Sequence, residues 1–279
     1  MIGGFFIQMR LKLRCHSSLI RLAAMLGLLW ASQAAFCSGA ASTNEAELKY
    51  EAPLIVSGAV YPKGSTNETL LFKFTRQATR SGSTLTVLRE FTYPDGKPAV
   101  RQRLVYDGDD LVSLEHEDLQ TGARGSAAIR RAPNNPAKRL VEFEYTKDAS
   151  SGAKPKTSEE PLRDDTLTDD MIGVFLQSHW EALSNGRAVK CRYLVVSRRQ
   201  TVGFTFVRIS ESIFDGRPVV IVKMEATSVL VSALVNPLFF TVEKDAPHRT
   251  LQYIGRTEPK LHVGTKWTDL DAVTVFGWK

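Results

Sequence analysis

The chain has 279 residues, with 36 basic against 30 acidic side chains and 43% hydrophobic residues. Residues 1–40 hold four of the bases and none of the acids, which leaves 32 bases against 30 acids in the remainder, net +2. A basic nucleic-acid footprint is excluded by that balance. The remaining roughly 239 residues suffice to bury most of their apolar surface in one or two cores.

The start reads as a secretory signal. Arg10, Lys12, Arg14 and Arg21 precede an apolar run from Leu22 to Trp30, and small residues follow from Ala31 to Ala40. The run is too short for a hydrocarbon core, which needs about 20 residues. Cleavage is expected after Ala40 (Ser38-Gly39-Ala40) or after Ala34 (Ser32-Gln33-Ala34), with Met9 as an alternative start. Phe36 is too large for a lipobox, so lipid anchoring at Cys37 is not expected. The expected location is periplasmic or secreted. Cys15 goes with the leader and Cys37 goes if cleavage follows Ala40, leaving Cys191 as a buried, inert thiol. No pair has metal or redox spacing.

Short strand-like runs dominate the chain after the leader. Glu47–Ser57 is the first, and Leu70, Phe72 and Phe74 alternate with Leu71, Lys73 and Thr75 in the next. Ser83–Tyr93 and Ala99–Tyr106 flank a Pro94-Asp95-Gly96-Lys97 turn, Asp107-Gly108-Asp109 leads into Leu111–His116, and Thr121-Gly122 into Arg124–Arg131. Val141, Phe143 and Tyr145 alternate with Glu142 and Glu144, the pattern of a half-buried strand. Such spacing predicts an antiparallel meander. Ala149–Pro161 is nearly devoid of apolar residues and reads as an exposed loop or a boundary between two domains.

One strong helix is predicted next. Thr168 caps it, Asp169 and Asp170 complement its positive end, and Gly186 stops it. Ile172, Phe175, Leu176, His179 and Leu183 form one stripe, with Trp180 beside it, that must lie against the sheet. Strands resume over Ala188–Ser197, Thr201–Ser210 and Val219–Ala226, the last after an Asp215-Gly216 turn. Ser228–Val235 reads as a short helix before Pro237, and Leu238–Glu243, Thr250–Gly255 and Ala272–Phe276 complete the strands.

Catalytic motifs are missing from this pattern: there is no nucleophile elbow, no His-Glu-x-x-His and no phosphate or dinucleotide loop. No cofactor and no metal site are expected. Asp164-Asp165 and Asp169-Asp170 read as helix-start acids, and His179 as a core histidine bonded to a carbonyl. Glu115-His116-Glu117-Asp118 reads as a solvated strand whose two faces carry Glu115 with Glu117 and His116 with Asp118. Asn67-Glu68-Thr69 matches a glycosylation sequon. The aromatic second half supplies the candidate ligand-binding residues Phe175, Trp180, Phe204, Phe206, Phe240 and Tyr253, which form either a packed core or a cavity lined for a lipid tail.

The order of features over about 160–260 resembles uncharacterised exported proteins of Gram-negative bacteria. It comprises the helix with Phe175, Trp180, Leu183 and Asn185-Gly186, a strand pair with Arg198 and Phe204, the Asp215-Gly216 turn, Leu234-Val235-Asn236-Pro237-Leu238, and Tyr253-Ile254-Gly255-Arg256. These proteins are similar in pattern to the half-barrel fold of periplasmic lipoprotein carriers. The resemblance implies a curved sheet around a helix and an apolar cavity, and it carries over no functional residue.

The expected fold is therefore mainly β: a leader over 1–40, then a long curved antiparallel sheet over 41–279 forming an incomplete barrel, with one amphipathic helix on its concave face and a second short helix. The expected function is non-enzymatic binding of an apolar or amphipathic ligand, a hydrophobic small molecule or lipid, in the cell envelope. The alternatives are a structural or interaction protein with an envelope protein partner, and a hydrolase, which would need a histidine close to a carboxylate. No nucleic-acid partner and no transmembrane helix beyond the leader are expected.

Overall fold

Runs that alternate apolar and polar residues fold as strands here wherever a turn residue allows the chain to reverse. The computed structural model of the protein describes residues 46–64, 69–232 and 235–278. The expected leader with Cys15 and Cys37, and the sequon's Asn67, lie outside the described residues. The first half is a chain of hairpins: β1 (Ile55–Pro62), β2 (Phe72–Ser81), β3 (Thr84–Thr92), β4 (Pro98–Asp107), β5 (Asp110–Asp118), β6 (Ala123–Ala132), β7 (Asn135–Thr146) and β8 (Lys156–Pro161). A two-residue strand, β9 (Thr166–Leu167), leads into a 3-10 turn at Asp169–Met171, then α1 (Ile172–Ser178) and α2 (Trp180–Ser184). The second half is β10 (Val189–Val195), β11 (Gln200–Phe214), β12 (Arg217–Ala226), α3 (Val229–Ser232), β13 (Leu238–Glu243), β14 (Thr250–Val263) and β15 (Lys266–Trp278).

Among the described residues all fifteen strands belong to one sheet, ordered β8 to β1 and then β15 to β9. The two halves join where β1 pairs antiparallel with β15, Val60 opposite Thr274. Neighbouring strands are antiparallel except β9, which runs parallel to β10. The β11–β12 hairpin turns on two residues, Asp215 at φ 49° and Gly216 at φ 73°, the left-handed pair that matches strand twist.

The sheet curls until its ends approach each other without forming a ladder. Ser158 Oγ on β8 donates to the Arg199 carbonyl (2.5 Å), and the Thr201 N–H donates to Glu160 Oε1 (2.6 Å). Gly125 on β6 allows this approach, because a Cβ there would lie 2.5 Å from Val196 Cγ1. The barrel is thus incomplete, its seam bridged by side chains. Lys156–Pro161, which the composition of Ala149–Pro161 suggests is loop, is edge strand β8 paired along β7; alternating exposed and half-buried residues suit an edge, where one face needs little apolar surface. Conversely, the run from Glu47 becomes strand only from Ile55.

The predicted helix lies on the concave face in two pieces. It is interrupted at His179 (φ −108°, ψ 16°), whose Nδ1 sits 2.9 Å from the Phe175 carbonyl that also accepts the His179 backbone N–H. Thr168 makes no side-chain cap bond, against expectation. Met171, Ile172, Phe175, Leu176 and Leu183 are buried in the larger of two apolar clusters, with Phe206, Val222 and Phe240. The smaller cluster contains Val60, Phe72, Phe74, Phe91, Val100 and Ala272. Cys191 is buried, and burial pushes its thiol up to about 12. Among the described residues no helix is long and apolar enough to cross a membrane.

Candidate functional site

A row of polar residues runs between the two apolar clusters. On β2 the inward positions are Phe72, Phe74 and then Arg76; on β3 they are Leu85, Val87, Arg89 and Phe91; on β4, Val100, Gln102, Leu104 and Tyr106. Hairpin register sets these polar residues side by side: Arg76 opposite Arg89, Arg89 opposite Gln102, Gln102 opposite His116. Two like charges directly opposite each other on a sheet repel. The compensation comes from the helical segment. Asp170, with 1% of its side chain exposed, takes a bidentate pair of bonds from Arg76 (Nε 2.7 Å, Nη2 3.2 Å). Asp169 Oδ2 lies 3.2 Å from Arg89 Nη1.

Further donors converge on the same two carboxylates. The Tyr106 hydroxyl donates to Asp170 (3.0 Å), the Tyr193 hydroxyl donates to Asp169, and Gln102 Nε2 reaches Asp169 at 3.5 Å. Arg76 also donates to the carbonyls of Tyr50 (2.5 Å) and Pro53 (2.6 Å), which fastens residues 50–53 across it. Burial alone would raise the Asp169 carboxyl; Arg89 and the hydrogen bonds from Tyr193 and Glu258 outweigh it and hold the group below its ordinary range. Asp169 and Asp170 are therefore not solvated helix-start acids. They are the anionic half of a buried ion-pair cluster.

His116 and Asp118 also depart from the solvated-strand reading. They share a face, as period 2 requires, but that face points inward: Leu114 precedes them on it, and the register shift at Val105/Tyr106 brings Leu111 to it as well. Asp118 binds Lys260 (2.5 Å) and Thr121 (2.7 Å); burial would raise its carboxyl, but these partners hold it low. His116 Nδ1 stands 3.5 Å from Gln102 Nε2 and 3.7 Å from Glu258 Oε2. Burial lowers the His116 imidazole despite Asp118 and Asp169 nearby, so it is neutral at pH 7. Glu258 sits where the β14–β15 register shifts between Arg256 and Lys260, an irregularity that re-aims its side chain. Burial, and then Asp169, push its carboxyl up to about 8, and with 34% of its side-chain surface still accessible it can exchange a proton with water. Among the described residues no group of three or more His, Cys, Asp or Glu side chains is arranged to hold a metal ion.

The predicted aromatic residues gather in the adjoining wall. Phe175 of α1 packs on Phe206 (ring centroids 5.1 Å), Phe206 on Phe240 (5.9 Å), and Phe240 on Tyr253 (5.2 Å). Phe204 meets Tyr193 edge-on (6.0 Å), which links this wall to the polar row, and Trp180 stacks on His248 (4.1 Å) at the rim. Here they are closely packed, with Phe206 fully buried. Two clefts open elsewhere, one of about 490 Å³ beside Tyr93, Leu119 and Trp267, the other of about 190 Å³ beside Phe214 and Trp278. Neither of these clefts is lined by the aromatic wall, which Phe175 of α1 covers.

No family model matches the chain, and no curated protein matches its sequence. Solved structures do show a likeness. A beta-barrel-like protein of the domain of unknown function DUF1849 from Brucella abortus is 10% identical at TM-score 0.37, covering 80% of this chain and 94% of that one. An outer membrane lipoprotein-sorting protein domain from Vibrio parahaemolyticus is 8% identical at TM-score 0.25, covering 80% of each chain. A DUF1329 family protein from Desulfovibrio piger is 10% identical at TM-score 0.23, covering 83% and 86%. Likeness this loose carries no argument about what this chain binds.

Proposed function

We propose that this is an exported envelope protein that binds an amphipathic ligand beneath the segment 168–188, without catalysing a reaction. One observation carries the reading: among the described residues, no backbone hydrogen bond joins residues 168–187 to a strand. The segment is held by its apolar stripe, the stack of Trp180 on His248 and two carboxylates, and the ladder survives its departure. The two-residue β9 tethers one end and Gly186, at φ 72°, turns the other into β10. Swinging out, the segment would bare Phe206, Phe240 and Tyr253 to a tail, with the polar row at one end of that wall. The close His116–Glu258 pair meets the sequence criterion that keeps the hydrolase alternative in play; among the described residues no serine, cysteine or threonine is bonded to His116. Organic extraction and mass spectrometry of protein purified from envelopes without detergent is expected to yield a stoichiometric amphiphile. Protein purified this way that carries none, and that takes up no added amphiphile, contradicts the reading.

An interaction role is the second reading, favoured by the ends of two long hairpins. Ile209 and Ile213 near the β11–β12 turn, and Val263 and Trp267 at the β14–β15 turn, are exposed. A stoichiometric protein partner in envelope pull-downs, lost in an Ile213→Ser, Val263→Ser variant, would favour it over a small ligand.

A further inference from the structure

Resting on the binding function proposed above, we infer that the ligand is an anionic amphiphile, whose carboxylate or phosphate takes the place of Asp169 and Asp170 on Arg76 and Arg89. The argument is one of charge and of donor count. At this place the sheet offers donors: two guanidinium groups, the hydroxyls of Tyr106 and Tyr193, and the amide of Gln102. The anionic acceptors come from the helical segment, beside the uncharged carbonyls of Tyr50 and Pro53 on Arg76 and Gln102 Oε1 on Arg89. If that segment leaves, its two carboxylates leave with it.

The sheet has no replacement at hand. Asp118 is engaged by Lys260 and Thr121, and Glu258 is aimed at His116 (3.7 Å), with no ion pair to either arginine among the described residues. Two arginines that remain charged at any physiological pH would then face each other across β2 and β3 in an interior of low dielectric. A neutral ligand would leave them unpaired, and a cationic one would add to the repulsion. A carboxylate or phosphate restores the bidentate geometry that Asp170 now supplies to Arg76. Its tail would run along the wall joined to the row through Tyr193 and Phe204. On this account Asp169 and Asp170 are a built-in stand-in for the ligand's head, and they compete with it.

The test uses probes with one tail and different heads. cis-Parinaric acid and its methyl ester are titrated into the mature protein below their aggregation limits, and lysophosphatidic acid is used to displace the bound acid. The acid is expected to bind about tenfold or more tightly than the ester, as a charge-assisted hydrogen-bonded pair implies. Asp169→Asn with Asp170→Asn is expected to tighten the acid several-fold. Arg89→Gln is expected to narrow the acid–ester difference several-fold, and Arg89→Lys to retain more of it. Displacement by oleoyl lysophosphatidic acid at concentrations well below those of oleate, which carries the same acyl chain, points to a phosphate head, and the reverse order to a carboxylate. Equal binding of acid and ester by the unaltered protein overturns this inference and leaves the proposed function standing. Failure of both probes to bind the unaltered protein and the Asp169→Asn, Asp170→Asn variant overturns both. The acid–ester comparison needs no substitution, so it holds even where a variant does not fold.

Discussion

Glu258 ionises near 4.5 in an unfolded chain and near 8 in the folded protein, where burial and Asp169 disfavour its charge. Between those values the folded state holds a proton that the unfolded state has released, so rising pH weakens the fold through this group. His116, on β5 and lowered by burial, works in the other direction: its contribution is complete above about 6.5 and is lost as pH falls. Asp118 and Asp169, both depressed, contribute stability that is lost only in acid. Arg89, Tyr193, Tyr145 and Lys260 also face this cluster. Glu258→Gln is therefore expected to raise thermal stability at pH 8 and to flatten the fall between about pH 5 and 8. A melting profile parallel to that of the parent would show that Glu258 ionises normally. The Arg76–Asp170 pair calls for a double-mutant cycle by urea unfolding. Arg76→Met or Asp170→Asn alone should cost about 3–5 kcal/mol by stranding a buried partner, and the pair together clearly less than the sum. Additive losses would mean that the two side chains act independently.

Among the elements, α1 depends on side-chain packing. Leu176 is fully buried, so Leu176→Ala is expected to cost about 2–5 kcal/mol in chemical unfolding. A loss below about 1 kcal/mol would show that the segment contributes little to the fold. The seam is tested at Gly125, where a methyl group would meet Val196, the Glu144 carbonyl and the Tyr145 ring within 3 Å. Gly125→Ala is expected to cost about 1–3 kcal/mol, and a neutral result would place β6 and the 3-10 turn at Val196–Arg198 farther apart than described. Much of this level is legible in the residues themselves. The turns at Gly96, Gly108 and Asp215-Gly216 and the alternation in β7 give the meander, and the 3.6-residue stripe gives the helix. The polar row leaves a subtler signal: Arg76, Arg89 and Gln102 each occupy an apolar phase of their strand, and only hairpin register shows that they align. Glu258 leaves none, because a register shift breaks the phase on which such a reading depends. The edge strand β8 is hidden by a composition suited equally to a loop.

At the scale of the molecule, one sheet joins both ends of the described chain through β1 and β15, curls to a side-chain seam, and holds a segment that shares none of its ladder. Carboxylates from that segment neutralise an arginine pair which the sheet alone leaves uncompensated. The wall that the sequence marks as aromatic is present but filled, because the protein covers it with its own helix. On the proposed function, residues 168–188 are a displaceable cover over an otherwise continuous scaffold, and local opening of that kind is visible in amide exchange. Hydrogen exchange across 172–184, measured with and without saturating cis-parinaric acid, tests this most directly. The account predicts faster exchange over 172–184 on binding while β11–β13 keep their protection. Exchange over 172–184 that is unchanged by the ligand, or that occurs only with global unfolding of the strands, would contradict it.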